Sequence, residues 1–377
     1  MSSRIPQSKL FQWSCPPPPP SSSSATSTAT SSTTTLPDTM TKDQPETVNS
    51  THFTPPSYDI NHIISTPQWS ESNEHIITAP YRYLKTIPGK QMRTKLIAMF
   101  NTVLKIPEDK LHVISNVIEM LHNASLLIDD IEDDSNLRRG KPTAHLIFGT
   151  AFVINSSNYM YFQALAELMK LQDGSKNDAE IVKIFNAELL HLHRGQALDL
   201  YWRENLVIPS EEDYINMVMN KTGGLFRLAI RLMELFTTVI PPVSGLLSLA
   251  NLLGIIYQIK DDYLNLKDEK LKENKGFCED ISEGKFSFPI IHSLRSSNDL
   301  SLMGILKQRT QDDNIKEFAL QYLENTNSFK YTLDSIEFFK TKAIELLTEV
   351  KNQGKENVQE EIFLAVIEKL AYCPKFN

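Results

Sequence analysis

The chain has 377 residues and a formal net charge of −8. That length bounds it to one large domain or two smaller ones, and the acidic balance argues against nucleic acid as a partner, because phosphate backbones select basic surfaces. Its three cysteines, Cys15, Cys278 and Cys373, are odd in number and far apart, which fits a reducing compartment and offers neither a disulfide framework nor a metal-binding spacing.

The opening residues, MSSRIPQSKLFQW, carry Arg4 and Lys9 but no long apolar run, so no secretory signal is read. A cytoplasmic location is expected. The Ser/Thr-rich, acid-poor start leaves mitochondrial targeting as the alternative, against which the prolines count. Residues 15–57 combine Pro16 to Pro20 with SSSSATSTATSSTTT. Such a composition cannot bury enough apolar area to offset chain entropy. A disordered tail is therefore expected over 1–69, and a folded domain over 70–377.

From there the pattern is helical. Apolar residues recur three and four apart in LHVISNVIEMLHNASLLI, IVKIFNAELLHLH, YINMVMNKTGGLFRLAIRLMELF and EEIFLAVIEKLAY. Breaks are expected at Pro88-Gly89, Gly140 to Pro142, Pro241-Pro242 and Pro289, where Gly and Pro cluster. No alternating run of strand length stands out, and Gly223-Gly224 does not form a phosphate-binding P-loop. The fold class is all-α, a bundle around a deep central pocket. The most apolar stretch, Val243 to Ile259, is short for a membrane span and runs straight into Lys260-Asp261-Asp262. It reads as a buried core helix, and no transmembrane segment is expected.

The first chemical signal is LHNASLLIDDIEDDSNLRRG, residues 121–140. On a helix, Asp129 and Asp133 share a face and repel each other unless a cation neutralises them. Mg²⁺ suits the pair, being a hard ion that binds one or two carboxylates together with substrate phosphates. Arg138 and Arg139 follow, where they could grip a phosphate group. A solvated helix end is the plain alternative, but the apolar run Ala124 to Ile128 just before the acids favours a pocket wall. A second cluster, Gln258, Asp261, Asp262 and Asn265, again ends a long apolar helix. Two such sites facing each other could hold Mg²⁺ ions around a diphosphate. Lys221-Thr222, Lys275 and Lys285 could complete the cage.

These motifs, with PGKQMR (88–93), HRGQALDLYWR (193–203), NKTGGLFRLAIRLM (220–233) and CEDISEGKFSFPIIH (278–292), resemble those of the trans-isoprenyl diphosphate synthases. The match is closest to the fungal and animal type that makes geranylgeranyl diphosphate, and it runs in family order from about residue 75 to the C-terminus. The wider family ends its second motif in Asp, and Asn265 stands there in this chain, keeping a carbonyl ligand but losing a charge.

The resemblance implies a Mg²⁺-dependent prenyltransferase, usually dimeric, that joins isopentenyl diphosphate to an allylic diphosphate (dimethylallyl, geranyl or farnesyl). It implies about three Mg²⁺ ions per site, with Asp129, Asp133 and Asp261 as ligands and Asp130 and Asp262 in support. It further implies that Arg138, Lys221, Lys275 and Lys285, with Thr222 and Gln258, bind the allylic diphosphate, while Gln196 and Asp199 line that side. Lys90, Arg93, Arg139 and His122 are expected to take isopentenyl diphosphate. His122 lies two turns before Asp129 and so shares its face. Small residues at Ala124 and Ser125 leave the pocket open past the first prenyl units. Tyr161, Phe162 and His193 are candidate floor residues that would stop growth at geranylgeranyl diphosphate, with ordinary helix packing as the alternative. The product is expected to feed terpenoid biosynthesis, with a fungal diterpenoid pathway as the suggested use.

Three rival readings differ in kind. A class I terpene cyclase would need no isopentenyl site and would carry an Asn/Ser/Glu metal motif where Asp261-Asp262 stand. A catalytically dead partner subunit would be expected to lose one acid cluster. A helical scaffold leaves the polar clusters on apolar helices unexplained.

Overall fold

The apolar periodicity becomes helix along the chain, in a computed structural model that describes residues 59–87, 89, 92–240, 243–268, 276–297, 299–354 and 359–374. The described helices are Ile60–Ser65 (α1), Glu71–Ile77 (α2), Ala79–Thr86 (α3), Met92–Leu104 (α4), Glu108–Glu132 (α5), Ala144–Phe148 (α6), Thr150–Leu168 (α7), Asp178–Asn205 (α8) and Glu211–Lys221 (α9). Then come Gly223–Phe236 (α10), Leu246–Lys267 (α11), Glu279–Glu283 (α12), Phe288–Ser296 (α13), Ser301–Gln308 (α14), Asp313–Asn325 (α15), Ser328–Gly354 (α16) and Glu360–Ala371 (α17). The all-α expectation holds.

The chain divides into two compact units, Met1–Thr66 and Pro67–Asn377. In the first, the described residues include α1, an exposed helix capped by the Asp59 side chain. Part of the stretch expected to be tail is thus helical, because Asp59 supplies an N-cap ahead of Ile60. Residues 1–58, including Cys15, lie outside the described part.

In the second unit, α10 is the centre. It is buried nearly all round, from Gly223 to Ile230 and again at Leu232 and Met233, as befits a helix apolar on every face. Helices α5, α8 and α11 pack on it. Its buried Arg227 gives Nε–H to Glu188 of α8 at 2.9 Å, and Arg231 reaches the same carboxylate at 2.9 Å. The cost of burying that charge is thereby offset. By length and composition α5 could cross a membrane. Here it is a core helix, with Ile114, Val117, Leu121 and Leu127 fully buried and with acids at both ends. Helix α11 contains most of the stretch from Val243 to Ile259, also as buried core.

One break is unexpected: the segment from Tyr214 to Phe236 is two helices, α9 and α10, which meet at Thr222. At the expected breaks, Pro289 stands in the first turn of α13, where a proline has no intrahelical N–H to forgo. Leu137–Arg138 and Lys141–Pro142 form a two-stranded antiparallel pair. Its turn residues Arg139 and Gly140 have φ of 54° and 76°, the left-handed pair that a tight hairpin needs.

Candidate active site

Helix α5 ends in its own acids. Asp133 caps it, giving its backbone N–H to the carbonyl of Asp129 at 2.8 Å. The negative end of the helix dipole disfavours anions there, so the cluster holds together only if cations answer it. Arg138 answers Asp130. The hairpin turns its guanidinium back onto that buried carboxylate, with Nε–H donating to Oδ1 at 2.8 Å. Asp130 and Arg138 are therefore engaged with each other, and the second oxygen of Asp130 is buried with no hydrogen-bond partner. Arg139 points the other way, to the carbonyl of Ile87 at 2.8 Å.

Asp129 is left as the poorly matched acid. Burial, with Asp133 and Glu132 adding to it against the pull of Lys221 and Arg138, pushes its pKa up to about 7. A carboxylate strained in this way is one that a hard cation would relieve. Among the described residues no three His, Cys, Asp or Glu side chains converge as a ready-made ligand set. That fits an ion completing its shell with water and phosphate.

Helix α8 faces the cluster with three side chains spaced three and four apart. Gln196 donates to Glu132 at 2.6 Å, Asp199 accepts from Lys221 at 2.6 Å, and Arg203 donates to Asp133 at 2.8 Å. Lys221 is part-buried, and its proton is held more firmly than usual by Asp199, Asp129 and Asp133, which outweigh desolvation. The same Lys221, together with Lys285, holds Asp199 below the ordinary carboxylate range despite burial. Gly195 brings the helices this close: a Cβ there would stand 2.3 Å from the backbone nitrogen of Lys221. The α9–α10 junction thus delivers Lys221 and, one residue on, Thr222, whose hydroxyl donates to Gln258 at 2.7 Å.

On α11, Gln258 passes the contact on to Asp262 at 2.9 Å. Asp262 is 1 % exposed. It also accepts from the Tyr214 hydroxyl at 2.6 Å, the Phe288 N–H at 2.9 Å and Lys285 at 3.2 Å. With four donors its acceptor capacity is used within the protein, so it braces the site instead of meeting ligand. Lys285 also reaches Asp280 at 3.4 Å. Asn265 turns away from the cluster and accepts the backbone N–H of Asp280 at 3.0 Å, which anchors the start of α12. Asp261 is part-buried and borders a cavity of about 270 Å³ with Tyr257, Lys260 and Lys369.

Arg93 is part-buried and lies 2.9 Å from His122 Nε2. Desolvation lowers its pKa, against the pull of Tyr257, Asp129 and Asp261. Burial, then Arg93, keeps His122 well below its ordinary pKa, so the neutral ring accepts from Arg93 through Nε2. Lys90 and Lys275 lie outside the described residues.

Of the residues expected to limit product length, Ala124 is fully buried and its carbonyl accepts from Ser157 at 2.8 Å. Ser125 bonds back to the carbonyl of His122 at 2.9 Å. Tyr161 packs on His193 with ring centroids 5.5 Å apart, and burial, with Asp129 and Glu132 nearby, raises its pKa. Phe162 is 72 % exposed in the single chain, because it falls on the outer face of α7 about two turns on from Ile154, and His193 is exposed as well.

The sequence reading missed Arg203, Glu132, Tyr214 and Asp280. The spacing of Gln196, Asp199 and Arg203 on one helical face is the signal that could have found Arg203. Tyr214 and Asp280 carry no local signal, because their partners arrive from distant segments.

Comparison with known proteins shows the family. Residues 74–323 match the Polyprenyl synthetase family. A geranylgeranyl pyrophosphate synthase of Hypoxylon pulicicidum is 50 % identical over 299 residues, 79 % of this chain and 76 % of that protein. One from Penicillium canescens is 53 % identical over 276 residues, 73 % of this chain and 80 % of that protein. A copalyl diphosphate synthase of Talaromyces verruculosus is 52 % identical over 289 residues, 76 % of this chain but only 29 % of that longer protein.

Proposed function

The chain belongs to the polyprenyl synthetase family, and on that footing we propose that it is a prenyltransferase making geranylgeranyl diphosphate from isopentenyl diphosphate and allylic diphosphates. The observation that carries this reading is the pairing of Asp129, its pKa raised by burial, with part-buried Lys221, Arg93 and Lys285 around two acid clusters. Such a site is built for a highly charged diphosphate and its counter-ions.

In the reaction, the allylic C–O bond breaks and pyrophosphate leaves with the electron pair. The double bond of isopentenyl diphosphate then forms the new C–C bond, and the proton lost from the adjacent carbon goes to the released pyrophosphate. The residues contribute position and charge, the main term when a polyanion departs. Lys221 stays protonated against Asp199 and faces the leaving group. Thr222 and Gln258 offer uncharged contacts. Arg93, oriented by neutral His122, and Arg139 hold the second diphosphate, with Lys90 assigned there by its place in PGKQMR. Asp130 keeps Arg138 aligned, and Asp262 keeps Lys285 and Gln258 aligned. Family members are generally Mg²⁺-dependent. Asp129, Asp133 and Asp261 are the residues that would hold Mg²⁺, which when bound neutralises the leaving pyrophosphate, with about three ions per site. A product lengthened past geranylgeranyl diphosphate is blocked by Tyr161 against His193.

A second copy of the chain covers the apolar side chains that α7 and α8 expose, Ile154, Phe162, Leu190, Leu198 and Tyr201, a patch of the kind that marks an interface. Light scattering should give a dimer, and Phe162→Glu a monomer. The free thiols of Cys278 and Cys373 support a cytoplasmic location, and a fluorescent fusion found only in an organelle would count against it. The catalytic reading is tested by substrate choice. The purified chain should consume isopentenyl diphosphate only when an allylic diphosphate is supplied. Release of hydrocarbon from geranylgeranyl diphosphate alone would indicate a cyclase instead.

A further inference from the structure

Arg203 stands where no substrate is expected, yet it is tied to the acid cluster more closely than any other cation except Arg138. Its guanidinium is 5 % exposed. It donates one N–H to Asp133 Oδ1 at 2.8 Å and another to the carbonyl of Glu132 at 2.7 Å. Both acceptors belong to the end of α5, where the helix dipole is negative. One planar fork therefore answers a carboxylate and an orphaned helix carbonyl together.

The pairing makes the three acids of the motif unlike. Asp130 is taken by Arg138 and Asp133 by Arg203, whereas Asp129 has neither arginine in contact and carries the raised pKa. Arg203 is carried by the same face of α8 as Asp199, one turn earlier, so its position is fixed by the helix that also fixes Lys221. One oxygen of Asp133 is committed to the protein through Arg203.

We propose that Arg203 is a built-in counter-ion and positioning residue for Asp133. It holds the cluster assembled without metal, and by occupying part of its charge it makes divalent-cation binding depend on an arriving diphosphate. The inference rests on the reading that Asp129 and Asp133 take a divalent cation, and it predicts more than that reading does. A merely structural clamp on α5 would weaken cation binding when lost. A counter-ion strengthens it when lost.

The test measures Mn²⁺ binding to the full chain by electron paramagnetic resonance, alone and with inorganic pyrophosphate, in the parent, Arg203→Gln, Arg203→Lys and Asp129→Ala. The parent should bind Mn²⁺ weakly alone and more tightly with pyrophosphate, in an Asp129-dependent way. Arg203→Gln should bind Mn²⁺ alone about fivefold more tightly, the scale of a partly exposed ion pair, and its pyrophosphate enhancement should shrink by the same factor. Arg203→Lys, which keeps the charge, should bind as the parent does. Unchanged or weaker binding of Mn²⁺ alone in Arg203→Gln overturns the inference while leaving the metal reading intact. Absence of any Asp129-dependent binding in the parent overturns both. Should Arg203→Gln unfold without metal, saturating Mn²⁺ must restore its helicity by circular dichroism, and failure to do so also overturns the inference.

Discussion

Adding one methyl group at Gly195 should disable the site without touching a charged residue. The Cβ of Gly195→Ala would lie 2.3 Å from the backbone nitrogen of Lys221 and 2.8 Å from its Cα. Backbone cannot rotate aside, so α8 and the end of α9 must part by about 1 Å to reach ordinary contact. Overpacking of this kind costs about 1–3 kcal/mol, against about 1 kcal/mol gained from the better helix propensity of Ala. The net loss of stability is thus small, about 1–2 kcal/mol at most. The functional loss is larger, because Lys221 is held to Asp199 at 2.6 Å and misplacing a positioning group by about 1 Å costs on the order of 100-fold in rate. Thermal unfolding and single-turnover condensation should therefore separate: a modest fall in Tm with a collapse of the rate. A Gly195→Ala enzyme that keeps full rate would refute the idea that this helix contact sets Lys221.

Metal-free stability should depend on Asp129. Its folded pKa of about 7 lies above the unfolded value, so the stability tied to its bound proton is full below about pH 4 and is lost as pH rises through about 7. In chelator, Asp129→Asn should therefore match the parent below about pH 4 and exceed it progressively from there to about pH 8, by up to a few kcal/mol, and identical pH profiles would contradict this. Tyr161→Ala opens the wall against His193 and should shift products toward longer chains, read by chain-length separation after dephosphorylation; an unchanged product would show that the floor lies elsewhere. Glu188→Gln leaves Arg227 and Arg231 without their shared carboxylate and should cost about 3–5 kcal/mol in denaturant unfolding, with a loss below about 1 kcal/mol counting against a buried network.

Much of the fold and the chemistry could be read from local spacing. Asp129 with Asp133, and Gln258 with Asp261 and Asp262, come from helical periodicity, and the apolar runs before them announce a pocket wall. What spacing does not carry is which partner a side chain meets. Arg138 looks like a free phosphate grip, and only the hairpin shows that Asp130 orients it. Asn265 looks like the last ligand of its motif until α12 arrives with the N–H of Asp280. Asp262 looks equivalent to Asp261, yet Tyr214, Lys285 and Phe288 come from three separate segments to consume its lone pairs. Phe162 shows the remaining ambiguity: an apolar helical position can face the core of its own chain or the surface, and periodicity alone does not say which.

The most direct test is a product assay with the purified chain, Mg²⁺, isopentenyl diphosphate and farnesyl diphosphate. A twenty-carbon alcohol after dephosphorylation, abolished by chelation and by Asp129→Ala, is the result expected of this site. Failure to condense with any allylic primer, or a product whose formation ignores Asp129, would contradict it.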